Sequence, residues 1–380
     1  MAKYDFTRTD VDAKGVAYQE LVGVNLRGDR GQYFTPRGVV KLVIEMLDPK
    51  ERETLLDPAC GTGGFLVASL AHRLKKFRDE QNTRAGNENT AEFLNVHERL
   101  RDYAATYVFG ADFDPFLIRV AQMNMVLTGD GRGHIYNINS LEFPRGHLAD
   151  LATATQEIPL GSVDIIATNP PFGSDIPITD KHILEQYELA HYWEPDGEGG
   201  FRNTGTPKGS VAPEILFIER CIKRLKPGTG RMGIVLPDGV LGNPAAEYIR
   251  WWIMRETQVL ASVDLPVEAF IAEANVNILT SLLFLRRKSE EEKRAEALGG
   301  IDEYPVFMAV ADKVGFDRRG NKLYKRTPDG EEIVEPKQHI ERIRIGRRFV
   351  EQTLTRSEKI EDNDLPVIAE KYREFLRAQQ

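Results

Sequence analysis

Cysteine is nearly absent. Cys60 and Cys221 are the only two in 380 residues, with no paired spacing, which argues against both a disulfide framework and a zinc site. Long apolar runs are missing too. No window holds the ~18 successive apolar residues of a membrane span, and the opening "MAKYDFTRTDVDAKG" lacks the apolar core of a signal peptide. These absences lead us to expect a cytoplasmic chain with no membrane partner. Nor is there an excess of positive charge: 50 Lys and Arg stand against 58 Asp and Glu, a net charge of −8. Bulk charge would therefore not bind nucleic acid unaided, and any such contact needs local basic patches or a basic partner. No segment repeats internally.

What is present suffices for a large core. Hydrophobic residues make up 41%, and the length exceeds that at which one core stops growing, so one large domain with appendages, or two domains, is expected. Helical spacing marks "AKGVAYQELVGVNL" and then "PRGVVKLVIEMLD", which begins near Pro36 and keeps Val39, Val40, Val43, Ile44 and Leu47 on one side. After it, "ETLLDPACGTGGFLVASLAHRL" reads as strand, glycine turn and helix. Further strands are expected in "TYVFGADFDP", "HIYNI", "SVDIIAT", "RMGIVLP", "VLASVDLP" and "NILTSLLFLRR". Helices in "FLIRVAQMNMVLTG", "PEILFIERCIKRL" and "AAEYIRWWIMRE" separate them. This alternation predicts an α/β fold with a doubly wound, mostly parallel sheet. Residues 79–99 read as a polar surface excursion, and 173–210 as a long aperiodic loop. Near the end, Asp364 is placed to cap a helix whose stripe is Leu365, Ile368, Tyr372 and Phe375.

Two strand ends carry chemistry. In "DPACGTGGF", Gly61, Gly63 and Gly64 sit where a strand turns into a helix, so a ligand can approach the backbone and the helix N-terminus. Leu66 stands where the dinucleotide fingerprint wants a small residue, and no Gly-Lys-Ser/Thr follows, so neither a dinucleotide nor a phosphate-gripping loop fits. Asp57, just before the turn, suits an ammonium better than a phosphate. The combination favours S-adenosylmethionine. Asp112, at the end of the next strand, is placed to accept two hydrogen bonds from a ribose diol, with Asp114 as second choice and a simple helix cap as the plain alternative.

The second strand end is "ATNPPFG". Pro170 and Pro171 stop the strand by fixing φ and removing two donors. An amino group conjugated to a ring, such as adenine N6, is a poor nucleophile. Asn169 Oδ1 and the Pro170 carbonyl can accept its hydrogens and direct its lone pair, while Phe172 offers a ring on which an extruded base could stack. Cys60, among small residues, reads as a buried space-filler rather than a nucleophile.

On "GQYFTPRGVVKLVIEML", "LLDPACGTGGFL", "GADFDPFLIRVAQMNMVLTG", "DIIATNPPFG", "ILFIERCIKRLKPGTGRMGIVLPDGVL" and "SLLFLRRK", the chain resembles the N6-adenine DNA methyltransferases. Within them it is most similar to the modification (methylase) subunit of type I restriction-modification systems. The resemblance covers roughly residues 14–288, in the family's order. It implies the S-adenosylmethionine-dependent methyltransferase fold and methyl transfer to a flipped adenine in double-stranded DNA. It also implies a DNA-specificity subunit and a restriction (nuclease) subunit as partners. Gln32, Tyr33, Phe34, Thr35, Pro36 and Arg37 would line the methionine end of the cofactor, Gly61, Thr62 and Gly63 its loop, and Asp112 its ribose. Asn169, Pro170, Pro171 and Phe172 would be the catalytic motif, and no metal is implied.

The expected organisation is a helical lead-in over 1–30, the methyltransferase domain over 31–288, and a C-terminal extension over 289–380 with a partner-docking helix. Family members carry a helical domain before the "QYFTP" element where this chain has about 30 residues, so a truncated or minimal methylase is expected. The basic run "HIERIRIGRR" reads as a solvated face that could touch phosphates. The loop 173–210, with His182, Tyr187, Tyr192, Trp193, Arg202 and Lys208, is expected to close over a flipped base and to order only with DNA. Two other readings stand beside the enzyme: a catalytically silent DNA-binding scaffold, and methylation of a protein glutamine amide, whose related motif commonly ends in Tyr rather than Phe172.

Overall fold

The computed structural model describes residues 35–85, 96–128, 133–173, 176–274, 277–299, 303–345 and 348–379. The first expected helix, and with it Gln32, Tyr33 and Phe34, lies outside the described residues. The strands are β1 (Leu55–Asp57), β2 (Val108–Asp112), β3 (His134–Asn137), β4 (Ile165–Thr168), β5 (His191–Pro195), β6 (Phe201–Pro207), β7 (Arg231–Pro237), β8 (Thr257–Leu265), β9 (Thr280–Arg287), β10 (Phe307–Val310), β11 (Val334–Ile345) and β12 (Arg348–Lys359). Eight of them form one sheet in the order β10-β8-β9-β7-β4-β1-β2-β3. β9 runs antiparallel to both its neighbours, and every other pairing is parallel.

Period-two burial builds two cores. Leu55, Ile165, Val108, Val235 and Phe284 face one side of the sheet, while Leu56, Ile166, Phe109, Ile234 and Leu285 face the other. The first side packs against helices Arg37–Leu47, Gly64–Ala85, Val96–Tyr107 and Leu365–Ala378, the second against Leu151–Glu157, Pro213–Arg224 and Glu247–Glu256. Strands buried on both faces read as continuous apolar runs, as "LLD" and "IIAT" do. Each fully buried leucine or isoleucine there contributes roughly 1.5–3 kcal/mol. Gly233 permits close layering: a Cβ there would lie 2.8 Å from Phe284 Cε1 and 2.9 Å from Val43 Cγ1.

Several expectations are corrected. The described ends of the polar segment 79–99 are helical, Gly64–Ala85 running through its start and Val96–Tyr107 beginning before its end, which leaves its surface position standing. The Arg99 guanidinium ties these helices together, lying 4.0 Å over the Phe77 ring and pairing with Glu51 and Glu80. Residues 176–210, read as aperiodic, hold regular elements. A short helix, Lys181–Leu184, leads to the β5–β6 hairpin. Tyr187 is 1% exposed and donates to the Leu141 carbonyl, Trp193 packs on Trp251, and Lys208 Nζ donates to Tyr248 Oη. Tyr187, Trp193 and Lys208 are thus engaged within the domain by partners distant in sequence, while Tyr192 stays exposed and Arg202 pairs with Glu194 in the same hairpin. Asp364 takes the backbone N–H groups of Asp312 and Lys313, while Asn363 Oδ1 accepts from Leu365 N at the start of the last helix.

That last helix is also docked in-house. Its stripe lies against helix Arg37–Leu47 and β10, with Leu365, Ile368 and Tyr372 buried and Tyr372 stacked among Phe284, Phe307 and Phe375. The stripe is therefore not a free partner surface, and β10, from beyond the expected boundary at 288, completes the main sheet. Tyr372→Ala should accordingly destabilise the chain by about 3–5 kcal/mol, read as a lower urea midpoint. An outward-facing stripe would leave the midpoint unmoved.

Candidate active site

The parallel strands β1, β2, β4 and β7 end at one edge of the sheet, the edge where open α/β sheets take ligands. Asp57 closes β1, Asp112 closes β2, Thr168 closes β4 with Asn169 next, and Pro237 closes β7. The chain reversal after β1 is held by Cys60 N donating to Ala111 O at 2.9 Å and Gly63 N donating to Cys60 O at 2.7 Å. Gly61 and Gly63 have φ of +52° and +83°, a region that side chains disfavour. Among the described residues, a Cβ on Gly61 would meet nothing within 4 Å, so space lies open beside this backbone there. From helix Pro115–Thr128, Asn124 Nδ2 donates to the Thr62 carbonyl at 2.7 Å.

Asp112 joins the two strand ends. Its Oδ2 accepts from Gly61 N at 2.9 Å and its Oδ1 from Asp114 N at 2.9 Å. Each carboxylate oxygen keeps a second lone-pair direction, which leaves room for a hydroxyl donor. Asn169 is fixed from the segment just before helix Arg37–Leu47: its Nδ2 donates to Thr35 Oγ1 at 3.0 Å. Its Oδ1 is buried and has no hydrogen-bond partner among the described residues. Such an atom is costly to leave unsatisfied, so it calls for a donor beyond the described residues. Pro170 is buried and Pro171 exposed. The structure thus brings Thr35, Asp57, Gly61, Thr62, Gly63, Asp112, Asn169 and Pro170 to one edge, with Pro36 and Arg37 opening the helix beside Thr35.

Comparison with known proteins decides the family. Residues 10–303 match the sequence profile described as N-6 DNA Methylase. The chain belongs to the N-6 DNA methylase family. The methylase subunit of the type I restriction enzyme EcoEI of Escherichia coli is 27% identical over 276 residues, 72% of this chain and 46% of that protein. The EcoKI methylase subunit of E. coli strain K12 is 26% identical over 338 residues, 87% of this chain and 53% of that one. The type I restriction-modification methyltransferase subunit of Streptococcus thermophilus superposes with a TM-score of 0.50 at 22% identity, covering 76% of this chain and 52% of that chain. The chain spans about half the length of the curated relatives it matches. The fold is that of the S-adenosylmethionine-dependent methyltransferases.

One expectation for the Asn-Pro-Pro-Phe motif is altered. Phe172 is only 3% exposed, inside the core cluster, so in this conformation its ring is not an open stacking face. Phe113, immediately after Asp112 and 68% exposed, is an open ring at this edge. Sequence reasoning also passed over Glu214, at the start of helix Pro213–Arg224. It is 7% exposed and accepts from Gly173 N at 3.3 Å, holding the turn that follows the Asn-Pro-Pro-Phe motif. The signal was a carboxylate at the helix start, directly before the apolar run Ile215–Ile218.

Electrostatics separate the acidic groups. Burial pushes the Asp57 carboxyl up to about 7, with nearby Asp112 adding to the rise, against hydrogen bonds from Thr168 Oγ1 and Ala59 N. Burial likewise raises Asp112, and it raises Cys60 far enough to keep a neutral thiol. Since the folded-state value of Asp57 lies above the unfolded one, the folded state holds the extra proton between about pH 4 and 7. Stability from this group is present below that window and lost as pH rises through it. Asp57→Asn should therefore raise the unfolding free energy at pH ~8, read from urea titration, by at most about 4 kcal/mol, with the gain shrinking toward pH ~4. A gain that grows on acidification would show that Asp57 is ionised throughout.

Proposed function

We propose that this chain methylates adenine N6 in DNA, using S-adenosylmethionine, as the catalytic modification subunit of a type I-like restriction-modification or related defence complex. The observation that carries the reading is Asn169 Oδ1, a buried acceptor held in place through the Thr35 hydroxyl and lacking a donor among the described residues. A carbonyl oxygen fixed at a strand end, followed by a proline whose own carbonyl lies next along the chain, suits an amino group with two hydrogens to give. Accepting both would localise the nitrogen lone pair and aim it.

The residues fit the cofactor. Open space beside Gly61 gives the adenosine a backbone to rest on, the spare lone pairs of Asp112 suit a ribose diol, and the Asp57 carboxyl, once ionised, suits an ammonium. Thr62 and Gly63 complete the loop, and Gln32, Tyr33, Phe34, Thr35, Pro36 and Arg37 would line the methionine end. When bound, S-adenosylmethionine supplies an electrophilic methyl group. Asn169 and Pro170 orient the amine; Asp57 and Asp112 position the cofactor; Glu214 keeps the turn in shape. No general base is required, because a methylated amine is acidic enough to release its proton to water. The partners would be double-stranded DNA with a flipped adenine, a specificity subunit that selects the sequence, and a nuclease subunit. Because Phe172 is buried, receiving a flipped base on its ring would require that ring to move.

The test is incubation of the chain with S-adenosylmethionine and mixed genomic DNA, with and without the products of neighbouring genes, followed by digestion to nucleosides. N6-methyladenine should accumulate, and dependence on a neighbour would place the chain as a subunit. Retained cofactor binding with no methylated base in any combination would support the silent scaffold. Methyl groups on a protein glutamine would support the amide reading.

A further inference from the structure

We propose that the β11–β12 ribbon is an arm that binds the phosphate backbone of duplex DNA outside the reaction site. This rests on the reading of DNA as substrate. The strands pair with each other over twelve positions, from Val334 with Lys359 to Ile345 with Arg348, and with no other described strand. At ~3.4 Å per residue the ribbon is about 40 Å long. A two-stranded ribbon is marginal by itself in water, so one this long calls for a surface to lie against.

Charge names the surface. Residues 313–359 contain thirteen Lys and Arg against eight Asp and Glu, in a chain whose net charge is −8. Of the four register pairs farthest from the domain, Arg342 with Glu351, Ile343 with Val350, Arg344 with Phe349 and Ile345 with Arg348, three hold an arginine and one a carboxylate. A narrow ribbon whose arginines gather toward that end suits a polyanion, and a two-stranded ribbon is one of the shapes a DNA groove admits.

Topology places the arm where it can act. β10 runs parallel to β8, which is in turn parallel to β7 and β4, so Val310 ends at the same edge as Asn169. The root is tied there: Ala311 N donates to Asp264 O at 2.9 Å, and Arg318 pairs with Glu268, in the helix that follows β8. Four inter-strand steps separate β10 from β4, about 19 Å at ~4.8 Å each. The ribbon is twice that length, enough to lie along a duplex whose adenine is presented to Asn169.

The experiment uses the full chain carrying Arg342→Gln, Arg344→Gln and Arg348→Gln, with anisotropy of a labelled mixed-sequence duplex across about 50–200 mM salt. The variant should bind at least ~10-fold more weakly at the low end, with a slope of log affinity against log salt shallower by up to about 3, near 0.9 for each phosphate that is no longer neutralised. Cofactor affinity should not change. An unchanged slope, or no duplex binding by the unaltered chain at low salt, would overturn the proposal, and dissolution of a dimer by the same substitutions would reassign the ribbon to a second copy. The readings separate cleanly: ribbon-dependent binding without methyl transfer sinks the enzyme alone, and methyl transfer with an unchanged salt slope sinks the arm alone.

Discussion

The amide of Asn169 is held by one end and, among the described residues, left unsatisfied at the other. Its Nδ2 donates to Thr35 Oγ1, across from the first described helix, and its Oδ1 is buried without a donor among the described residues. A buried orphan acceptor costs on the order of 1–3 kcal/mol, so the surroundings must over-determine its position. They do: β4 is buried along its length, two prolines prevent the strand from continuing, and Glu214 pins the turn beyond. The parallel sheet, the twin cores and the helix next to Thr35 can all be read as means of holding one carbonyl still.

The glycine loop shows a related tension. Asp57 is enclosed beside Asp112, and both carboxyls are raised by burial. For folding alone this is unfavourable above neutral pH; for a site that must take a cation it is a prepared countercharge. Asp112 resolves part of the conflict by accepting from Gly61 N and Asp114 N, so the ends of β1 and β2 share one acid. Stability is lost at the edge where function is proposed, and the apolar layers on either side of the sheet make it up.

Much of this was legible because local rules and tertiary structure agreed. The runs "LLD" and "IIAT" became doubly buried strands, Pro36 stood at the start of its helix, and glycines 61 and 63 took positive φ. The failures share one cause, contacts remote in sequence. Residues 176–210 look aperiodic, yet Trp193 packs on Trp251 and Tyr187 is enclosed with Arg220. The polar stretch after residue 79 stays partly helical because Arg99 reaches Phe77 and Glu51. The C-terminal stripe looked available to a partner because its own partners, Phe284 and Phe307, lie far upstream. At the site, the sequence marked Phe172 as an aromatic of the motif but held no sign of its burial.

The most direct measurement of the central claim compares cofactor binding and methyl transfer for Asn169→Ala, side by side. The account gives Asn169 to the amine and not to the cofactor. S-adenosylmethionine affinity should therefore stay within about 2-fold, while transfer to adenine falls by roughly 10²–10³-fold, as for loss of one preorganised polar group at a reacting centre. Transfer that survives the substitution, or affinity and transfer that fall together, would contradict it.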